Sequence, residues 1–509
     1  MGQFIVRSFL FLLSLFLFLS GCSDSNSSGD TSSGDGDSDG DTDSDGDGDG
    51  DGDSDTDGDG DTDSDTDTGT EPDPTDEIFD VEIIRRVDIH IPTDNGPPSS
   101  WDSINAEAPS PECVAIHRDY YVGAATFDGV TYEDIGVRVK GGCGSWRYLD
   151  EKPSFKLNFS WDEDETDDIC PAEREVMGLK RFTLNNGVQD VSAMHEHLAF
   201  QFYRMVGLPA PRTVSIQVYV NDEYYGIYQL IESIDRGFLK RWFDVKAGKG
   251  MMYEGSYWCD FLTGDDSAPQ DGTCWEREFE LDNCSAVPDA VDDLQPFESD
   301  GVTPQDPWKF LALLIDELEG LESANAFFPA VTELVDWDAF LAYWAASSIM
   351  IDWDSYAQWQ NNFRIYHDPP TNRWFFIPWG LDQTWQPVPE SDPWGWNGGG
   401  QYNFGIFEPA GDVARLCIEA GGTDSEGKTC ADTYVDELYR QLAIFESVDW
   451  SDEIDAWENR LAPLLSQTDP HREYSYDQWQ DEVNNLRAFA AVRAQEVRSE
   501  LASAGYSEP

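Results

Sequence analysis

The sequence predicts an α+β body in two lobes, strand-rich first and helix-rich second. Three observations carry that expectation. Up to about residue 235, apolar and polar residues alternate with period 2 in 78–92, 136–161 and 215–235, the pattern of half-buried strands. From about residue 305 the apolar residues recur at helical spacing, and strands followed by helices argue for an α+β arrangement. With 19 Trp, 20 Tyr and 28 Phe, the chain also has the bulk for a large core.

At the N-terminus, Arg7 precedes an apolar run over 8–19 that is too short to span a bilayer, and small residues come after it, so residues 1–22 read as a signal peptide. The end of this segment, Leu19-Ser20-Gly21-Cys22, resembles the lipobox of bacterial lipoproteins, in which the cysteine becomes a lipidated N-terminus. Ser23 after it is similar to an outer-membrane address. The cysteine count agrees: of nine, setting aside Cys22 leaves an even eight, Cys113, Cys143, Cys170, Cys259, Cys274, Cys284, Cys417 and Cys430. An oxidising compartment would pair these as disulfides. The near neighbours Cys274 with Cys284 or Cys259, and Cys417 with Cys430, are the candidate local staples, and none has zinc-site spacing.

Residues 23–77 carry 23 acidic and no basic side chains, with almost nothing apolar. Such a stretch cannot form a core, and self-repulsion extends it, so it is expected to be a disordered tether. Its Asp-Gly alternation is similar to the start of a calcium loop but lacks the closing glutamate, which leaves room only for loosely held Ca²⁺. Setting aside those acids and Arg7, the formal charge of −70 leaves the body near −48. That excludes a nucleic-acid partner, which needs a basic face.

Within the body, residues 78–235 form the expected strand-rich lobe and 236–509 the helical one. On the strands around "KGGCGSW", Arg138 and Lys140 share one face opposite Val137 and Val139. Ser154, Lys156 and Asn158 likewise oppose Phe155, Leu157 and Phe159, so two basic faces point away from the core. Asp190 is a candidate cap for a helix with Met194, Leu198, Phe202 and Met205 on one side, stopped by Gly207. A hairpin then turns at Asn221 and Asp222. Helices come next in "DPWKFLALLIDELEGL", "DWDAFLAYWAASSIMI" and a tail with Trp479, Val483, Leu486, Ala490, Val497 and Leu501 on one stripe.

The chemistry sits in "IDWDSYAQWQNNFRIYHDPPTNRWFFIPWGLDQTW", residues 351–385. A helix ends near Met350, and a short loop leads into a hairpin, 361–368 and 373–379. The ends of this hairpin present Asp354 with Asn362, and Asp382. One loop carboxylate, one amide and one carboxylate after a hairpin are the set with which kinases hold Mg²⁺ on nucleotide phosphates and orient a hydroxyl. Asp and Asn beside turns also serve as caps.

"VRVKGGCGSW" with "KPSFKLNF", the block from "VQDVSAMHEHLAFQFYRMVGLPAP" through "VYVNDEYYGIYQLIESID", and the 351–385 stretch together resemble the spore coat protein H (CotH) family of atypical, protein-kinase-like secreted kinases, over roughly residues 80–390. The resemblance implies a bilobed kinase-like fold, ATP with Mg²⁺ or Mn²⁺, and protein substrates, here exported or surface ones. It implies Asp354 as the catalytic Asp, and Asn362 and Asp382 as metal ligands, with Asn361 as an alternative to Asn362. Lys156 or Lys140 would contact phosphate. Residues 231–235 would form the inter-lobe hinge, with Glu232 among the cofactor-binding residues. The family usually has Asp-Leu-Asp where this chain has Gly380-Leu381-Asp382, so one carboxylate is absent. His195 and His197, two apart on a helix, cannot share a face as a metal pair. Gly141, Gly142 and Gly144 could bring backbone N–H groups to phosphates or simply permit a turn, and the loop 392–404 is either a substrate lip or a structural aromatic loop. A surface kinase for exported proteins, a non-catalytic kinase-like adhesin or scaffold, and a structural envelope protein are the three readings open at this point.

Overall fold

The computed structural model describes residues 73–107, 118–142, 144–161, 174–243, 251–255, 259–261, 275–277, 309–323, 327–387, 405–419 and 422–508. The signal segment, the lipobox, the tether up to residue 72, Cys113, Cys143, Cys170, Cys274, Cys284 and the loop 392–404 lie outside them.

Alternation in the first half builds seven strands: β1 (Arg85–His90), β2 (Tyr121–Phe127), β3 (Val130–Lys140), β4 (Ser154–Asn158), β5 (Arg181–Asn185), β6 (Thr213–Val220) and β7 (Glu223–Ile231). They close into a barrel in the order β1-β2-β3-β4-β5-β7-β6, antiparallel throughout except for β1 against β6. Closure removes the unpaired edges that an open sheet would expose. Val137 and Val139 of β3, with Phe155 and Leu157 of β4, fill the interior with Val87, Phe182, Ile216 and Leu230. On the other side of the pleat, Arg138 lies opposite Lys156 and Lys140 opposite Ser154.

That outer face is not a continuous basic cleft. Arg138 is buried: its guanidinium lies 4.5 Å from the Tyr120 ring centroid and donates to the Arg118 carbonyl at 2.7 Å. The β6–β7 hairpin turns at Asn221 and Asp222, both left-handed at φ 47° and 69°, the geometry that a two-residue hairpin loop requires. The Asn221 amide also bonds both backbone groups of Ile91, at 2.9 and 3.0 Å, which fastens the chain after β1 to this turn. The packed body begins ahead of residue 78. Thr75 is buried, and the Asp73 carboxylate accepts from Arg241 at 3.0 Å.

Helix α1 (Ser100–Ala106) precedes β2, α2 (His195–Met205) joins β5 to β6, and α3 (Arg236–Trp242) comes after β7. A second antiparallel sheet is made of β8 (Met251–Gly255), β9 (Trp275–Arg277), β10 (Phe363–Asp368) and β11 (Arg373–Pro378) in the order β11-β10-β8-β9. The remaining helices include α4 (Lys309–Ser323), α5 (Trp337–Met350), which packs on β11, α6 (Asp412–Glu419), α7 (Cys430–Glu446), α8 (Trp450–Leu465), which touches β7, and α9 (Tyr476–Ser503). The arrangement is α+β, with strands in the second half as well as the first.

Helices α2 and α5 position the candidate site. α2 starts at His195, later than a cap at Asp190 predicts, yet Asp190 still reaches it: its carboxylate accepts the His195 N–H at 2.9 Å and the Ser192 hydroxyl at 2.6 Å. Gly207, left-handed at φ 95°, ends that helix as expected. α5 begins at the Asp336 cap, whose side chain accepts from the Ala339 N–H. It is buried on nearly every side, with Trp344 stacked 3.5 Å from Tyr434 of α7.

Cys417 and Cys430 are disulfide-bonded, joining α6 to the first residue of α7, as their spacing predicts. Replacing both with alanine should lower unfolding stability by about 2–4 kcal/mol, the usual worth of closing a short loop. Urea titration measures it, and non-reducing peptide mapping of the native protein should recover the linked peptide; a free thiol at either position would contradict the pairing.

Candidate active site

The site is assembled where α5 ends. Its last turn closes at Ile351, left-handed at φ 51°, and the chain reverses through Asp352 and Trp353 to Asp354. Asp352 is buried and accepts from the Tyr203 hydroxyl of α2 at 2.9 Å. After a single helical turn, Tyr356–Trp359, the chain reaches Asn361 and Asn362 just ahead of β10. Both amides turn back on one carboxylate: Asn361 Nδ2 donates to Asp354 Oδ1 at 3.0 Å, and Asn362 Nδ2 to Asp354 Oδ2 at 2.6 Å. With Nδ2 spent in this way, the acceptor Oδ1 of Asn362 is the atom left for a cation.

The β10–β11 hairpin then carries Asp382 to the same place. Phe363 pairs with Pro378, the Trp379 N–H donates to the Asn362 carbonyl at 3.2 Å, and Asn362 Nδ2 approaches the Gly380 carbonyl at 3.4 Å. The glycine at position 380 has a physical reason. Gly380 is left-handed at φ 61°, and a Cβ on it would lie 2.6 Å from Asn362 Cγ, so any side chain there collides with the amide that holds Asp354.

A second group closes on this one from the barrel. Lys140 ends β3, with Nζ 3.5 Å from the Asn185 Oδ1 at the end of β5. Asn185 in turn donates from Nδ2 to Glu196 Oε2 at 2.8 Å, and Glu196 is fully buried in the first turn of α2. Its neighbour His195 donates from Nδ1 to the Asp382 carbonyl at 3.0 Å, which ties α2 to the loop carrying Asp382. His197 faces elsewhere, bonded to Thr213 and Ser215 and stacked 4.0 Å from Trp457, so the two histidines do not converge.

Electrostatics mark the cluster as overloaded with negative charge. Burial, together with the Asp382 charge, pushes Glu196 up to about 8, against the pull of Lys140. Burial also raises Asp354 to about 7, with Asp382 adding to it and the Asn361 bond opposing it. Asp382 rises to about 6 through burial and the charge of Asp190, offset by Lys140 and His195. Lys140 is pulled down by burial, while Glu196 and Asp382 hold it up. Asp354, Asn362, Asp382 and Lys140 are each half-buried, so a ligand can reach all four.

Of the site residues expected from sequence, Asp354, Asn361, Asn362 and Asp382 therefore come together, with Lys140 beside them. Lys156 instead sits mid-strand on β4, between Arg138 of β3 and Thr183 of β5. Glu232 ends up buried, accepting from the Arg212 N–H at 3.1 Å and from the Arg212 and Arg241 guanidiniums. These bonds make it the centre of an ion-pair group. Gly141 and Gly144 are left-handed at φ 112° and 89°, and the loop they bend is tied down where Asn186 donates to the Ser145 carbonyl at 2.8 Å. Sequence reasoning missed Glu196. Its signal was a carboxylate between two histidines at the start of a helix whose first six residues are all buried, where an acid needs a partner.

A model of the CotH kinase protein family matches residues 137–497, from β3 into the tail helix. No curated protein matches the chain.

The raised carboxylates fix a pH dependence for the metal-free protein. An acid whose folded pKa exceeds its unfolded one binds more protons when folded, so stability falls as pH rises from the unfolded to the folded value. For Asp354 that window runs from 3.8 to about 7. Thermal midpoints without divalent metal should fall between pH 4 and 7, and Asp354→Asn should flatten the slope. A midpoint that climbs across this window in both proteins would contradict the crowding. Separately, Gly380→Ala should destabilise the fold by on the order of 1–3 kcal/mol through strain and collision; an unchanged denaturation midpoint would show that the close approach to Asn362 is not needed.

Proposed function

The chain belongs to the CotH kinase protein family, which makes it a kinase-like protein, and on that footing we propose that it is a metal-dependent atypical protein kinase phosphorylating exported or surface proteins. The observation that carries the reading is the convergence of Asp354, Asn362 and Asp382 from one end of the second sheet with Lys140 and Glu196 from the end of the barrel. The two groups meet as the two lobes of a kinase do, which supports the bilobed, kinase-like description of the α+β fold.

Family membership implies ATP and a divalent metal in general, and the donor set fits. Among the described residues no group of three or more His, Cys, Asp or Glu could hold a metal ion. A kinase site does not need one, because Mg²⁺ accepts one carboxylate and one amide oxygen and takes waters and phosphates for the rest. Asp382 and the Oδ1 of Asn362 are those donors. Bound Mg²⁺ or Mn²⁺ would neutralise phosphate charge on ATP. Lys140, linked to Glu196 through Asn185, is the cation nearest the phosphates; burial lowers its pKa, and nearby acids and an incoming phosphate favour its charged form. Asp354, oriented by the two amides, accepts the proton of the acceptor hydroxyl as that oxygen attacks. Its raised pKa makes it a better base than an ordinary aspartate, provided it is ionised when the acceptor arrives.

Gly380 favours a second reading, a kinase-like scaffold or adhesin that binds nucleotide without transferring phosphate, because one acidic position of the family pattern is lost. The proposal also includes export and a lipid anchor at Cys22, joined to the body by the acidic tether, which gives the enzyme access to surface proteins. No helix among the described residues is long and apolar enough to cross a membrane.

Asp382→Ala should abolish metal-dependent nucleotide binding. Asp354→Ala should retain most binding and lose transfer by on the order of 10²- to 10⁴-fold, read as labelled phosphate moved to the protein itself or to serine-rich exported proteins. Unmodified protein that binds no nucleotide with Mg²⁺ or Mn²⁺ would overturn the kinase reading; binding without transfer would favour the scaffold. Cys22→Ser should move the protein from the membrane fraction to the soluble one, and unchanged partition would remove the lipid anchor from the proposal.

A further inference from the structure

The tail helix α9 touches both halves of the site, and its Glu482 carboxylate lies 3.8 Å from His195 Nε2. Most of its buried face is apolar, with Trp479, Val483, Leu486, Phe489, Val497 and Leu501 in the core. Two of its buried side chains, however, donate to backbone carbonyls beside the candidate site, Arg493 while its Nη1 also pairs with Glu496 and Glu500 of the same helix. Arg493 donates from Nε to the Ile349 carbonyl at 2.9 Å and from Nη2 to the Ser348 carbonyl at 2.8 Å. Those carbonyls belong to the last turn of α5, where they have no partner inside the helix, and a cation at a helix C-terminus is also favoured by the dipole. Directly after this turn come the left-handed Ile351 and then Asp354. Trp479 donates from Nε1 to the Ser192 carbonyl at 2.9 Å, between Asp190 and the start of α2 that carries His195 and Glu196. The two anchors stand about 21 Å apart along one helix at 1.5 Å per residue.

We propose that α9 is a strut that sets the two halves of the site against each other, with Arg493 and Trp479 as positioning residues. Arg493 fixes the height of the Asp354 loop through the end of α5. Trp479 fixes the α2 entry, and with it Glu196 and the Lys140 charge that Glu196 holds. Neither touches nucleotide or acceptor. The inference rests on the kinase reading for its kinetic consequences and on the fold for its mechanical ones.

The test compares Arg493→Met, Arg493→Lys, Trp479→Phe and, as a control from the same helix, Val497→Ala. Two measurements are made on each: steady-state transfer with Mg-ATP, and amide hydrogen exchange without nucleotide. Arg493→Met should lower kcat by on the order of 10-fold or more, as small misplacements of reacting groups do, with the KM for ATP changed less than about 2-fold. Arg493→Lys should recover part of the loss. Trp479→Phe should act mainly on the KM for ATP, and Val497→Ala should lower the thermal midpoint while leaving both kinetic constants unchanged. Exchange should accelerate at 350–356 in Arg493→Met and at 190–196 in Trp479→Phe, and at neither in the control. If the unmodified protein transfers no phosphate, the kinase reading fails and the exchange data alone decide the strut. If Arg493→Met leaves exchange at 350–356 as it was, the strut is wrong whatever the activity; in an active protein, kinetic changes no different from those of Val497→Ala would equally overturn it.

Discussion

One carboxylate held by two adjacent amides organises the rest of the site. For Asn361 and Asn362 both to donate to Asp354, the chain must leave α5 through a left-handed residue, make one helical turn and re-enter a strand within a few residues. Asn362 is itself left-handed at φ 49°, and the turn after β11 must pass close enough that position 380 has no room for a side chain. At 362 and 380 the residue type suits the requirement, whereas at 351 a β-branched isoleucine is held left-handed against its preference. Asn tolerates the left-handed region, and Gly accepts it without a Cβ in the way. A half-buried aspartate with both oxygens bonded in this way is held in one orientation.

Burial sets the electrostatic character of the same place. Asp354, Asp382, Asp190, Asp352 and Glu196 lie near one another, with Lys140 and His195 the cationic or ionisable groups among the named contacts. Every shifted carboxylate in the group is raised, the expected result of taking like charges out of water together. An arrangement of this kind is costly for the empty protein and favourable for one holding a cation. Structural ion pairs elsewhere in the molecule look different: around Glu232 two arginines converge on one acid and balance it. The contrast separates a group built to receive charge from one built to cancel it.

Much of this was legible from sequence, and the reasons are local. The hairpin of 361–379, the helix ending near Met350, the Asn221–Asp222 turn and the Cys417–Cys430 staple all rest on short-range pattern, which periodicity and turn chemistry read directly. Closure of the seven strands was not legible, because β1 pairs in parallel with β6 across more than a hundred residues and no local signal marks that partner. The choice between Lys140 and Lys156 failed to resolve for a related reason. Both stand on the same side of adjacent strands, and only the register, which sets Lys140 at the strand end beside Asn185, tells them apart. Arg493 reads in sequence as one more cation on a tail helix, and its role depends on which carbonyls the folded chain sets before it.

The proposed kinase function requires a divalent ion and a triphosphate to meet between Asp382, Asn362 and Lys140. A crystal structure of the protein with Mn²⁺ and a non-hydrolysable ATP analogue, with manganese located by its anomalous scattering, tests this most directly. The expected result is a manganese peak within about 2.0–2.3 Å of an Asp382 oxygen and the Asn362 Oδ1, with Lys140 on a phosphate and Asp354 free of metal. Manganese bound elsewhere, or a nucleotide held by Lys156 with Lys140 turned away, would contradict it.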